Sequence, residues 1–330
     1  MKTRTVDRAR GRPAWAFLVA LLSLALLVLA TTSTPVLAAG DSYPLTVTDD
    51  EGTEVTVEAQ PQRIISLSPA NTEIVYALGA GDRLVGRTEW DDYPSEARDL
   101  TPVATFSGVN MEQAVALEPD LVLAAGNFFT PPDDIATMRE LGIPVVVVYA
   151  PDVPTVLADI ELVGEVVGAS DEAAALVADM NEQFDAIAAA VAQVESSPRV
   201  FYEVGAEPEI YAPAPDSFLA DLVIMAGGEP VTTGDAAAWA IPLEELLVAD
   251  PEVIVLGDAN YGVCPANVAA RPGWEDMTAV VDGAVVPVDD VPVTRPGPRL
   301  AQGLASLARA IHPELELAGF PADPPMCEAG

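Results

Sequence analysis

Short apolar runs alternate with helical stretches on both sides of one long segment that carries almost no strand signal, and this alternation limits the folds open to the chain. Arg63-Ile64-Ile65-Ser66-Leu67-Ser68 reads as a buried strand running straight into the helical pattern Ile74, Val75, Leu78. Ser68 stands where an N-cap belongs, Pro69 takes the first helical position, and Gly79 and Gly81 close the helix. Further strands are predicted at 84–87, 121–124 and 145–149, with a small hairpin over 45–57 turning at Asp49-Asp50-Glu51-Gly52. From Val153 to about Val194, apolar residues recur at helical spacing. The pattern breaks only at Gly168-Ala169-Ser170-Asp171, where Ser170 or Asp171 is predicted to cap a long, Ala-rich second helix. Strands return at 200–204, 253–257 and 285–288, and a terminal helix is predicted from about 299 to 311. Continuous apolar strands separated by helices belong to a mainly parallel sheet covered on both faces. The predicted class is therefore α/β: an N-terminal unit over 41–152, a helical linker over 153–196 and a C-terminal unit over 197–330.

The two units resemble each other. Residues 112–123, Glu-Gln-Ala-Val-Ala-Leu-Glu-Pro-Asp-Leu-Val-Leu, align without gaps on residues 244–255, Glu-Glu-Leu-Leu-Val-Ala-Asp-Pro-Glu-Val-Ile-Val. Each copy reads as a short helix, a Pro-acid turn and a buried strand, which points to duplicated lobes. Ligands of open α/β sheets bind outside the carboxyl ends of the strands, so two such lobes facing each other make a cleft.

The N-terminus reads as a targeting segment. Lys2, Arg4, Arg8, Arg10 and Arg12 precede an apolar run from Ala14 to Ala30, and Val36-Leu37-Ala38 suits cleavage after Ala38 or Ala39. Residues 1–38 are accordingly expected to be a Sec-type signal peptide, with no lipobox cysteine, and the product to be periplasmic or secreted. The alternative is an uncleaved anchor, since that run is at the short limit for a spanning helix. The chain has 15 basic and 51 acidic residues. Cleavage would leave ten basic residues, none of them lysine, against 50 acids. So negative a charge repels phosphate backbones and excludes nucleic-acid binding. In an oxidising compartment the two cysteines, Cys264 and Cys327, can form one disulfide, pinning the Pro-rich tail to the loop that holds Cys264.

Nothing assembles a catalytic nucleophile, base and orienter. There is no Gly-x-Ser-x-Gly elbow, no phosphate loop and no zinc helix, and the one histidine, His312, precedes Pro313 near the C-terminus. A single histidine also excludes a Zn²⁺ or Mn²⁺ receptor site. Acid pairs such as Asp91-Asp92 are expected to be solvated charge. The strand-to-helix loops instead offer aromatic rings: Trp90, Tyr93, Phe106, Phe128, Phe129, Tyr149, Trp239 and Tyr261. Flat amphipathic rings suit a large flat or macrocyclic ligand. The cleft is expected to bind rather than transform.

Several ordered motifs together carry a resemblance. They are Arg63–Glu73, then Gly86-Arg87-Thr88-Glu89-Trp90-Asp91-Asp92-Tyr93-Pro94, Asn110-Met111-Glu112 through Val122, and Arg295-Pro296-Gly297-Pro298-Arg299. Over roughly residues 43–315 the chain resembles the iron-chelate/vitamin B12 class of ABC-importer substrate-binding proteins. The resemblance implies two Rossmann-like lobes joined by one long rigid helix, with no enzymatic activity and no resident cofactor. It implies a monomer that hands a metal chelate to the membrane permease subunits. It places Pro69, Ala70 and Asn71 on the cleft wall and Trp90, Phe106 and Trp239 at aromatic ligand positions, with Phe128 or Phe129 near another. It also implies that Glu112 and Glu244 dock to permease arginines. Corrinoid-binding members of the class carry cysteines at positions held here by Ala226 and Ala308, so a Cys264–Cys327 bond would be a different staple.

The favoured cargo is a cobalamin-like corrinoid. A ferric siderophore, with Arg87, Arg295 and Arg299 as anion partners, or haem through tyrosine ligation comes next. Two other classes stay open: a secreted carboxylate-dependent hydrolase, and an extracellular sensor domain held by an uncleaved anchor.

Overall fold

The computed structural model describes residues 42–105, 107–126, 130–322 and 326–327. The expected signal segment, Phe106, Phe128 and Phe129 lie outside the described residues. Strands β1 (Leu45–Thr48) and β2 (Glu54–Val57) form the antiparallel hairpin, its turn held by the Asp49 carboxylate accepting from the Glu51 and Thr53 amides. Next come β3 (Ile64–Ser66), α1 (Pro69–Ala77), β4 (Leu84–Thr88), β5 (Thr101–Thr105), β6 (Gly108–Val109), α2 (Met111–Ala116), β7 (Leu121–Ala124), α3 (Pro132–Glu140) and β8 (Val145–Val147). Their sheet has the order β6-β5-β4-β3-β7-β8 and is parallel except at its β5–β6 edge.

Two helices follow, α4 (Val153–Val167) and α5 (Ser170–Val191). The Asp152 carboxylate caps α4 by accepting from the Thr155 amide at 2.8 Å, and Gly168 ends it at φ 71°, a left-handed conformation that glycine adopts without penalty. The capping expectation for α5 needs correction. The helix begins on Ser170 itself, and Ala169 occupies the cap position with no side-chain oxygen to accept from the first-turn amides. Asp171 and Glu172 complement the helix dipole there instead.

The second lobe runs β9 (Arg199–Glu203), α6 (Phe218–Met225), β10 (Glu229–Pro230), α7 (Leu243–Ala249), β11 (Val253–Leu256), α8 (Pro265–Ala269), α9 (Thr278–Val281), β12 (Val285–Pro287), α10 (Val291–Thr294) and α11 (Leu300–Ile311). Its sheet, β10-β9-β11-β12, is wholly parallel. Cys264, at the start of α8, is joined to Cys327 with their Cα atoms 6.0 Å apart.

The side-chain period of two explains how the lobes share a core. Ile64, Leu121, Leu123, Val200, Val253 and Val255 point to one continuous apolar cluster that also takes Met180, Phe184 and Ile187 from α5 and most of α11. Their strand neighbours point the other way. Ile65, Val122 and Val145 enter a core private to the first lobe, and Phe201, Ile254 and Leu256 enter one private to the second. At about 1.5 Å per residue α5 is roughly 33 Å long. Its apolar face is buried in the shared cluster, so the two sheets and the helix pack as one unit.

Candidate ligand site and the lobe junction

The internal repeat extends to the backbone. Arg63, before β3, donates to the carbonyls of Leu117 and Glu118, while its amide donates to the Asp120 carboxylate. Arg199, opening β9, does the same to Ala249, Asp250 and Glu252. Glu118 and Asp250 hold matching positive φ values, 47° and 43°, and Ile64 pairs with Leu121 as Val200 pairs with Val253. Glu112 and Glu244 both occupy the second residue of a short helix, and both are exposed.

At the opposite, carboxyl ends of the strands the lobes present aromatic surface. Among the described residues the exposed aromatic side chains are Tyr93 at 48 %, Tyr149 at 48 %, Trp239 at 55 % and Tyr261 at 86 %. Tyr93 follows β4, Tyr149 follows β8, Trp239 lies between β10 and α7, and Tyr261 ends the turn after β11. Trp90 is half-buried beside Tyr93. Gly126 permits the Tyr149 ring to sit close, since a Cβ there would fall 3.2 Å from it. Pro69 is half-buried, while Ala70 and Asn71 are buried. The Asn71 amide group is directed inward, donating to Ala124 O at 3.3 Å. Of that trio, Pro69 presents the most surface.

The polar groups beneath differ between lobes. In the first, Asp91 is buried and accepts from the Thr72 and Thr88 hydroxyls; burial raises its pKa and the hydroxyls pull it back. The expectation of a solvated Asp91-Asp92 pair is thereby corrected, because Asp92 is also engaged, accepting from Arg295 at 2.7 Å. Asp92 keeps 45 % of its side chain exposed, so Asp91 alone is enclosed, and nothing in the local pattern marks which acid of the pair that is. In the second lobe, buried Glu203 accepts both guanidinium arms of Arg271 at 2.5 and 2.7 Å, and that guanidinium lies 4.6 Å from the Trp274 ring centre. Burial, reinforced by Glu203, pushes Asp258 up to about 7 against the pull of Arg271. Burial and Asp289 likewise push Asp290 up to about 6, opposed by Arg295.

The three arginines considered as anion partners all meet acceptors of the protein itself. Arg87 donates to the carbonyls of Thr88, Arg98 and Leu100. Arg295 and Arg299 cross the junction to Glu73, a residue the sequence did not single out. The available signal was an acid inside the buried start of α1, in a chain with few cations and an Arg-Pro-Gly-Pro-Arg turn. His312 is buried at the end of α11, 3.2 Å from Gly227 O. An open cavity of about 500 Å³ beyond α5, lined by Gln193, Val194, Glu195, Ser196, Glu314 and Leu315, carries no aromatic ring. Among the described residues no cluster of three His, Cys, Asp or Glu is placed to hold a metal ion, and no helix is long and apolar enough to cross a membrane.

The periplasmic binding protein family matches residues 64–292. An uncharacterized ABC transporter substrate-binding lipoprotein of Bacillus subtilis (strain 168) is 35 % identical over 277 residues, covering 82 % of this chain and 87 % of its own. A cobalamin-binding protein of Halobacterium salinarum (strain R1) is 31 % identical over 281 residues, covering 82 % of this chain and 75 % of its own. Among solved structures, the periplasmic vitamin B12 binding protein of Vibrio cholerae superimposes with a TM-score of 0.68 at 25 % identity, covering 76 % of this chain and 97 % of its own. With its duplicated sheets, shared helical core and aromatic strand ends, the chain belongs to the periplasmic binding protein family.

Proposed function

We propose that this protein is the extracytoplasmic substrate-binding protein of an ABC importer, capturing a metal chelate between its lobes and delivering it to the membrane permease. The observation that carries the reading is the placement of the exposed aromatic side chains at strand carboxyl ends, contributed by both lobes. Its role is binding rather than turnover; any metal arrives inside the cargo. Of the three ligand classes, a cobalamin-like corrinoid is favoured over a ferric siderophore or haem. Anionic siderophores and haem propionates call for cations, and Arg87, Arg295 and Arg299 are already bonded within the protein. The cobalamin-binding relative supports the same choice. Calorimetric titration with cyanocobalamin, haemin and a ferric-siderophore panel tests this, with cyanocobalamin expected to bind most tightly. Binding by none of them overturns the reading.

Glu112 and Glu244 are assigned to permease docking, as exposed acids at repeat-related positions, one on each lobe. In vesicles carrying the cognate permease, the double variant E112A/E244A should lose uptake while keeping ligand affinity. Equal loss of both contradicts the assignment. Export by the N-terminal segment to a periplasmic or secreted location completes the proposal; N-terminal sequencing of the exported protein checks it.

A further inference from the structure

One carboxylate joins the two lobes at the edge of the aromatic face. Glu73, on α1 of the first lobe, has a side chain only 2 % exposed. Its Oε2 accepts from Arg299 Nε at 2.8 Å, and its Oε1 accepts from Arg299 Nη2 at 2.6 Å and Arg295 Nη1 at 3.0 Å. Both arginines come from the second lobe and flank Pro296-Gly297-Pro298, a turn that rests on Ala70; a Cβ on Gly297 would lie 3.6 Å from Ala70 O. With Asp92 included, two guanidinium groups face two carboxylates.

The same two arginines hold the segment that carries Trp90 and Tyr93. Arg295 donates to Trp90 O at 3.3 Å and to Asp92 Oδ1 at 2.7 Å, and the Arg299 guanidinium lies 4.0 Å from the Tyr93 ring centre. Asp91, between them, is fastened from the first lobe by Thr72 and Thr88. In residues 90–93, then, the Trp90 amide and the Asp91 carboxylate are tied to Thr72 and Thr88 of the first lobe, while Trp90 O, the Asp92 carboxylate and the Tyr93 ring meet arginines of the second. A wall segment held in this way keeps its place only while the lobes keep theirs.

We propose that Glu73, Arg295 and Arg299 are positioning residues that set the lobe angle and hold the Trp90–Tyr93 wall, and so govern ligand affinity without touching the ligand. The affinity half of this role rests on the ligand-binding reading above; the geometric half does not. Losing Arg295 leaves Glu73 to Arg299 alone and takes from Asp92 and Trp90 O their donor across the junction, so the second lobe loses its hold on the start of the wall segment.

The test places spin labels at the exposed positions Glu96 and Glu209, as E96C and E209C, in the purified protein and in R295Q, D92N and R299K. Interspin distance distributions are measured alongside cyanocobalamin titration. R295Q should broaden the distribution and weaken binding tenfold or more. D92N should do both to a smaller degree, and R299K, which keeps the charge but loses the paired donors, should fall between. Should R295Q not fold, D92N and R299K decide the matter. Folded variants with wild-type distance distributions overturn the geometric role. A broadened distribution with unchanged cyanocobalamin affinity overturns the positioning role. If the unaltered protein binds no cyanocobalamin, the ligand reading fails separately, and the distances still decide whether the junction sets the lobe angle.

Discussion

The two lobes agree at one end of their sheets and part company at the other. At the amino ends of the strands, Arg63 and Arg199 make the same bonds to the same turn, and Glu118 and Asp250 share a left-handed backbone. At the carboxyl ends, the first lobe places Asp91 among hydroxyls while the second places Glu203 against Arg271, with Asp258 nearby. The first sheet also carries β5 and β6, which have no counterpart in the second. A scaffold end has one structural task in both copies, whereas the ends that face a ligand have different surfaces to recognise, so that is where duplicated units diverge.

The largest effect that would sharpen this contrast is expected from R271A. Removing the cation leaves Glu203 buried and unpaired, a loss of about 3–5 kcal/mol. T72V in the first lobe takes one hydroxyl from Asp91 and should cost about 1–3 kcal/mol. Denaturant unfolding of both variants measures the difference; equal costs would break the distinction between a charged and a hydroxyl-held floor.

A smaller effect comes with pH. Burial and Asp50 push Asp159, on α4, up to about 8, and Asp258 stands at about 7, both from an ordinary value of 3.8. Each carboxyl keeps its proton in the folded chain to a higher pH than in the unfolded chain. Stability from these groups is therefore full below about pH 4 and is lost as pH rises toward 8. Thermal unfolding should occur at lower temperature at pH 8 than at pH 5. D159N should flatten the part of that slope owed to the linker helix and D258N the second-lobe part, each by a few degrees. A melting temperature that rises from pH 5 to pH 8 contradicts both assignments.

Much of the scaffold was legible because it obeys short-range rules. The strands at Ile64, Leu121, Val145 and Val253 are apolar runs bounded by turns, and Ser68 caps α1 as its sequence indicates, accepting from the Asn71 amide at 3.5 Å. β5 was hidden by Pro102, which cannot donate to a ladder. The structure accommodates it opposite Arg87, where the β4–β5 register shifts, and β6 pairs with Ala104 and Thr105 rather than with Pro102. The exposed rings were legible as loop aromatics, since Tyr149 and Tyr261 follow strand signals and Trp239 precedes the helix that begins with Leu243 and Glu244. Its supports were not. Glu73 meets Arg295 and Arg299 across more than 200 residues of chain, a pairing no local pattern encodes.

Ligand capture by the aromatic strand ends is tested most directly by cyanocobalamin titration of the protein beside Y149A and W239A, one ring from each lobe. One-to-one binding that each substitution weakens about tenfold or more, near or above 1.4 kcal/mol, is the predicted result. Tight binding that survives both substitutions unchanged would contradict it.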